Sequence, residues 1–255
     1  MHVKMKSRFT MKKVKWVIFD LDDTLHEFST ASRTAMEMVY HYLHEEFGIY
    51  PDDAREAYAA ILKEGQSTHF VEDIPSRVYR RQRFEKLFDR FSLIYHIHLD
   101  RCLDVYDDSL MEVMTLKEGA LEILQECQKH KLNVMVVSEG PRDAQKKAIE
   151  KLGIASYVNR VFTSSQCRMH KANGLFTHAL KEVGCSPDES IVIGDNPERD
   201  IKPAQALGLL AILVTTKAAP ENMPFVASLK ELADRLRTET QDNVFPMPLA
   251  ANVLE

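Results

Sequence analysis

Apolar and polar positions alternate between two spacings along the chain, and the changes of spacing mark its elements. Val14 to Phe19 is a short, largely apolar run rich in β-branched and aromatic residues, and it stops at Asp20. Such a run predicts a strand buried on both faces of a sheet. From Ser29 to about Met114 the pattern becomes long and helix-like, rich in Arg, Glu, Tyr and His and poor in strand signals. That stretch predicts an inserted helical module.

The strand and helix patterns then alternate. Lys117 to Lys131 sets Ala120, Leu121, Leu124 and Cys127 at helical spacing, and a strand over Val134–Val137 follows. A helix over Arg142–Leu152 ends near Gly153, and a short strand is expected around Val161-Phe162. A helix from Gly174 to Val183, a strand Ile191–Ile193, a short helix Pro203–Leu207 and a strand Ala211–Val214 complete the series. Repeated βαβ units imply an α/β fold with a parallel, doubly wound sheet. From about Thr238 the periodicity is lost, and Pro246 and Pro248 predict a loose tail.

Composition narrows the function. With 255 residues and 45% hydrophobic content the chain can bury a substantial core, as one domain with a large insertion or as two. A net charge of -5 argues against a general nucleic-acid binder, which needs a concentrated basic surface. Cys102, Cys127, Cys167 and Cys185 are far apart, without the paired spacing that holds zinc, and predict reduced thiols in a cytoplasmic protein. No apolar run is long enough to span a membrane. Lys4, Lys6, Arg8, Lys12, Lys13 and Lys15 precede the first acid without an apolar stretch behind them, so the leader is not a secretory signal. A frayed basic terminus and a mitochondrial presequence both remain open readings of it.

The polar residues that end the apolar runs suggest chemistry on a phosphate. In a parallel sheet the C-terminal strand ends share one crevice, so Asp20-Leu21-Asp22, Ser138 and Gly194-Asp195 would meet there. Asp20 and Asp22 are two apart, so both can face the same side of an extended segment, one attacking while the other manages protons. The Ser138 hydroxyl and the loop N–H groups of Glu139 and Gly140 can hold phosphate oxygens, and Lys171 can neutralise charge. Asp195 and Asp200 would complete an all-oxygen site suited to Mg²⁺. Taken singly, each motif also reads as ordinary structure: a capped turn for Asp-Leu-Asp, a helix N-cap for Ser138, a turn for Asp195-Asn196-Pro197.

Together, Phe19-Asp20-Leu21-Asp22-Asp23-Thr24-Leu25, Val136-Val137-Ser138-Glu139-Gly140, the spaced lysine and Gly194-Asp195-Asn196-Pro197-Glu198-Arg199-Asp200 resemble the haloacid dehalogenase-like superfamily, specifically its phosphatases with a helical cap. The resemblance runs from Val14 to about Val214. It implies a Rossmann-like core over residues 12–28 and 115–237, an α-helical cap over 29–114, and flexible termini at 1–11 and 238–255. By motif position Asp20 becomes the nucleophile, Asp22 the acid/base, Ser138 the phosphate holder and Lys171 the charge neutraliser. Asp195, Asp20 and the Asp22 carbonyl become Mg²⁺ ligands, with Thr24, Asn196 and Asp200 in support; Asp200 would orient Lys171 or a metal-bound water. Two positions depart from the common pattern. Glu139 replaces the asparagine of Ser/Thr-Asn-Gly and adds a negative charge beside an anion site, and Ala172 follows the lysine where proline is frequent.

The expected activity is Mg²⁺-dependent hydrolysis of a small phosphomonoester, in the nucleotide or sugar phosphate class, through an aspartyl-phosphate. A phosphomutase, or a binding protein that keeps the fold without catalysis, stands as the alternative. Arg77, Arg80 and Arg81 share a helical face in the cap segment, read either as a basic lid over an anionic substrate or as a solvated face with an Arg81–Glu85 pair. His69, Phe70 and Tyr79 are candidate pocket residues.

Overall fold

The fold is that of a computed structural model, which describes residues 14–64, 72–94, 96–220 and 223–238. His69 and Phe70, the lysines and arginine from Lys4 to Lys13, and the tail beyond Thr238 lie outside the described residues. Six strands, β1 (Trp16–Phe19), β2 (Asn133–Ser138), β3 (Arg160–Thr163), β4 (Ser190–Gly194), β5 (Leu210–Val214) and β6 (Phe225–Val226), form one parallel sheet in the order β3-β2-β1-β4-β5-β6. This is the parallel, doubly wound α/β fold expected from the alternation, and the Rossmann-like core that the family resemblance implies. The chain winds outward from β1 through β2 and β3, then crosses to β4, so the order reverses between β1 and β4.

Strand periodicity separates two apolar layers. Val17, Phe19, Val134, Val136, Ile191 and Ile193 face one side, while Ile18, Met135, Val137 and Val192 face the other. Both faces are covered, which is why the strands read as continuous apolar runs. Helices α5 (Ala120–Lys129), α6 (Arg142–Lys151) and α10 (Leu229–Thr238) bury residues in the first layer. Helices α8 (Leu175–Glu182) and α9 (Lys202–Ala206) bury theirs in the second, and α7 (Ser164–Cys167) is a single turn after β3.

Between β1 and α5 the described residues form four helices, α1 (Phe28–Phe47), α2 (Pro51–Glu64), α3 (Ser76–Arg90) and α4 (His96–Val113). α1 packs on α4 and α2 on α3, around Leu43, Phe84, Leu87 and Phe88, each nearly fully buried. Burying side chains of that size is worth about 1.5–3 kcal/mol apiece, so this apolar centre outweighs the weak helix caps. The chain enters and leaves the four helices through adjacent segments: Glu27 N–H donates to Thr115 O at 3.1 Å, and Lys117 N–H to Leu25 O at 3.0 Å.

Several local expectations shift. α5 starts at Ala120 because Gly119 adopts φ 82° and lies against the first turn of α10; a Cβ there would come within 1.9 Å of the Lys230 backbone nitrogen. The buried face of α5 contains Ile123 in place of Leu121, which is 38% exposed. Glu126 on that face is buried and bonded to Arg237 of α10 at 3.1 Å and Lys129 at 2.7 Å. α7, β6 and α10 were not anticipated. All four cysteines are free, and burial pushes Cys102 and Cys127 up to about 12, which leaves them as neutral packing groups. Among the described residues no helix is long and apolar enough to cross a membrane.

Candidate active site

Asp20 and Asp195 are the first residues beyond β1 and β4, whose C-terminal ends flank the point where the strand order reverses. Phe19 is paired with Ile193, and the Asp20 N–H donates to the Ile193 carbonyl at 3.0 Å. The sheet therefore fixes the backbone of Asp20 one residue past its strand. Open α/β sheets bind their ligands in the crevice at such a reversal. Ser138 ends β2, one strand away, and is buried.

Lys171 reaches this crevice from a short turn, Lys171–Asn173, and is only 3% exposed. Its ammonium donates to Asp20 Oδ1 at 2.5 Å and to Asp200 Oδ1 at 2.6 Å. Burial alone would lower the Lys171 pKa, but the two carboxylates outweigh it and hold the ammonium charged. Burial raises the Asp20 pKa well above the usual carboxylate range against the pull of Lys171. The Asp200 side chain folds back beneath β4, where Gly194 makes room: a Cβ on Gly194 would lie 2.5 Å from the Asp200 carboxylate. Asp200 Oδ2 accepts the Asn196 N–H at 3.0 Å, and Asn196 Oδ1 caps the wide turn Pro197–Ile201 through Glu198 and Arg199.

Glu139, the departure in the second motif, turns its carboxylate onto the lysine loop. Its Oε1 accepts the Lys171 backbone N–H at 2.8 Å and lies 3.6 Å from His170 Nδ1. The anchoring that a following proline would supply thus comes from a side chain, and the extra negative charge is occupied by loop donors.

Around β1 the turn is tight. Leu21 O accepts from Thr24, Leu25 and His26, and Asp23 sits at φ 60°, a left-handed conformation uncommon for a residue with a side chain. The Asp23 carboxylate receives the backbone N–H of Ser29 at 2.8 Å and its hydroxyl, so it serves orphan donors in the first turn of α1. Thr24, fully buried, donates to Asp195 Oδ1 at 3.0 Å. Burial raises the Asp195 pKa, Asp200 adds to the rise, and Thr24 opposes it.

Carboxylate oxygens of Asp20, Asp195 and Asp200 lie within 4.8 Å of one another. Both Asp200 oxygens are taken by donors, whereas Asp20 and Asp195 each keep one oxygen that accepts from no described residue. Hard oxygens left open on two crowded carboxylates, Asp20 buried and Asp195 half-buried, fit a small divalent cation such as Mg²⁺.

Asp20, Lys171 and Asp200 open into a cavity of about 450 Å³ roofed by side chains from α1 to α4. Asp22, Ser138, Glu139 and Gly140 line it on the sheet side. The arginine face divides. Arg80 and Tyr79 line the cavity, whereas Arg77 and Arg81 do not. Arg77 forks between Asp104 at 2.7 Å and Asp107 at 2.9 Å, and Arg81 pairs with Asp100, so α4 carries an acidic face that neutralises them. Neither a three-arginine lid nor a solvated face with an Arg81–Glu85 pair describes this helix. Arg80 pairs with Asp107 at 2.5 Å and stacks its guanidinium 3.9 Å over the Tyr106 ring. Sequence reading missed His26, Tyr58, Arg83 and Gln145, which also line the cavity.

The family model described as haloacid dehalogenase-like hydrolase matches residues 14–208. The ribulose-1,5-bisphosphate 5-phosphatase of Halopiger xanaduensis is 28% identical over 240 residues, 88% of this chain and 92% of that protein. The glyceraldehyde 3-phosphate phosphatase of Methanocaldococcus jannaschii is 26% identical, spanning 90% of this chain and all of the relative. A hydrolase of the same fold from Bacillus subtilis, crystallised bound to magnesium, aligns with a TM-score of 0.67 at 22% identity over 88% of this chain and 99% of its own, which speaks for the fold alone. The chain belongs to the haloacid dehalogenase-like hydrolase family, as one of its phosphatases.

Proposed function

We propose that this phosphatase hydrolyses monoesters of small phosphorylated sugars, with Asp20 as nucleophile and Mg²⁺ as cofactor. The observation that carries the reading is the convergence of Asp20, Lys171 and Asp200 beside Asp22 in the wall of one cavity, with an Asp195 carboxylate oxygen within 4.8 Å of those of Asp20 and Asp200. The sugar class rests on the two relatives named above, whose names carry ribulose-1,5-bisphosphate and glyceraldehyde 3-phosphate.

Asp20, Asp195 and the Asp22 backbone carbonyl would hold Mg²⁺, which would supply positive charge to the phosphate oxygens when bound. The Ser138 hydroxyl, the N–H groups of Glu139 and Gly140, and the Lys171 ammonium orient the phosphoryl group toward Asp20. Asp20 attacks in line and forms an aspartyl-phosphate; Asp22 gives a proton to the departing alkoxide, then takes one from the water that hydrolyses the intermediate. Asp200 keeps Lys171 aimed at Asp20, and Asn196 and Thr24 support Asp200 and Asp195. Residues 29–114 act as a cap over a core of residues 12–28 and 115–237, excluding water and presenting Arg80 to the sugar end. The four free cysteines favour a cytoplasmic setting.

A panel of phosphorylated sugars, nucleotides and other metabolites, read by released phosphate, tests this. Sugar phosphates are expected to be turned over with Mg²⁺ and not after chelation. Mg²⁺ is also expected to raise the melting temperature of metal-free wild type and not of Asp195→Asn, because a ligand at 100 times its Kd stabilises by about 2.7 kcal/mol. Activity that survives exhaustive chelation would remove the metal from the account, and isomerisation with little phosphate release would point to a mutase.

A further inference from the structure

Two buried side chains outside the motifs direct their only side-chain hydrogen bonds, among the described residues, to the same carboxylate. His26 is fully buried and sets Nε2 2.9 Å from Asp22 Oδ1; Gln145 is 3% exposed and donates from Nε2 to Asp22 Oδ2 at 3.1 Å. Each leaves its other polar atom, His26 Nδ1 and Gln145 Oε1, buried without a partner. An orphaned polar atom costs free energy that an apolar side chain in the same place would avoid. What these residues offer that an apolar residue lacks is the bond to Asp22.

They reach Asp22 from two different elements. His26 lies four residues on, in the turn closed on Leu21 O, and is bridged to Leu116 where the chain leaves the helical module. Gln145 stands in the first turn of α6 and approaches over Gly140, where a Cβ would fall 2.3 Å from the Gln145 amide nitrogen. Two residues earlier on that turn, Asp143 accepts the backbone N–H of Ser76 at 2.9 Å and its hydroxyl at 2.7 Å, at the start of α3. One turn of α6 therefore touches both Asp22 and the helices above the cavity.

We propose that His26 and Gln145 are positioning residues that fix the direction of the Asp22 carboxylate toward the leaving-group oxygen. The inference rests on Asp22 being the acid/base of the proposed reaction. An aspartate side chain turns easily about two torsions, and a donor on each oxygen removes that freedom. Each oxygen keeps a second lone pair for the transferred proton, and the Asp22 side chain remains 27% exposed in the cavity wall. Proton transfer is sensitive to such aim, since small misplacements of a reacting group cost up to about a hundredfold in rate.

The test compares wild type, Asp22→Asn, Gln145→Leu and the double variant on two substrates: the alkyl sugar phosphate turned over fastest in the panel above, and p-nitrophenyl phosphate, whose leaving group needs little protonation. Gln145→Leu is expected to lower kcat on the alkyl phosphate about tenfold or more, with KM little changed and the aryl phosphate far less affected. It should add nothing in the Asp22→Asn background. His26→Phe is expected to behave alike where it folds, and Gln145→Leu, at a helix start, carries the test where it does not. Equal losses on both substrates, or a lower melting temperature with kcat intact, would overturn the inference. If Asp22→Asn discriminates between the substrates and Gln145→Leu does not, the inference alone fails. If Asp22→Asn costs both equally, or wild type hydrolyses no alkyl phosphate, the acid/base reading fails and the inference with it.

Discussion

Lys171 Nζ lies 2.5 Å from Asp20 Oδ1, with both side chains buried at the strand-order reversal. A second carboxylate, Asp200, shares the same ammonium. Removing the cation strands two acids out of water. Lys171→Met is expected to destabilise the metal-free protein by about 3–5 kcal/mol at neutral pH, the usual cost of breaking a buried ion pair. Burial already raises the Asp20 pKa, and loss of Lys171 would raise it further. A folded state that binds protons more readily than the unfolded one gains stability as pH falls, so the deficit should narrow on mild acidification. Urea unfolding at neutral and mildly acidic pH checks this; a deficit independent of pH would contradict it.

Arg80 and Arg77 are neighbours on α3 with different surroundings. Arg80 lines the cavity over Tyr106, while Arg77 is 42% exposed between Asp104 and Asp107. Arg80→Gln is expected to raise KM for sugar phosphates about tenfold, the worth of one charge-assisted hydrogen bond. Arg77→Gln should leave KM unchanged and cost under about 1 kcal/mol of stability, as exposed pairs do. Steady-state kinetics on both variants separate the two roles.

Glu126 couples α5 to α10 through Arg237 and to Lys129, and hydrogen bonds from Lys129 hold its carboxyl below the usual range despite burial. A depressed folded pKa gives stability that is present above the unfolded value, about 4.3, and is lost as pH falls through the folded one. Glu126→Gln should therefore lower stability at neutral pH by roughly 1–2 kcal/mol, discounted for its half-exposed partners. The difference from wild type should fade below about pH 4. Thermal unfolding across that range is the check.

The strand ends were legible because a strand buried on both faces reads as an apolar run, and the first polar residue after it stands at the mouth of the crevice. Asp20 after Phe19 and Asp195 after Gly194 follow that rule, and the spaced Lys171 joins them in space. Gln145 escaped notice because its partner, Asp22, lies 123 residues away and nothing local marks the contact. The acidic face of α4 that binds Arg77 and Arg81 was equally invisible, since pairing between helices depends on their docking. For α10 a signal existed: Leu229, Leu232, Ala233 and Leu236 keep helical spacing and are all buried. β6 has two residues, too few to carry a pattern.

The central claim is that Asp20 carries the phosphoryl group. An amide of the same shape keeps the packing and is a poor nucleophile, so Asp20→Asn should retain the wild-type circular dichroism spectrum. Its release of phosphate from the best sugar phosphate should fall by orders of magnitude. Release by the folded variant at more than about a tenth of the wild-type rate would contradict the assignment.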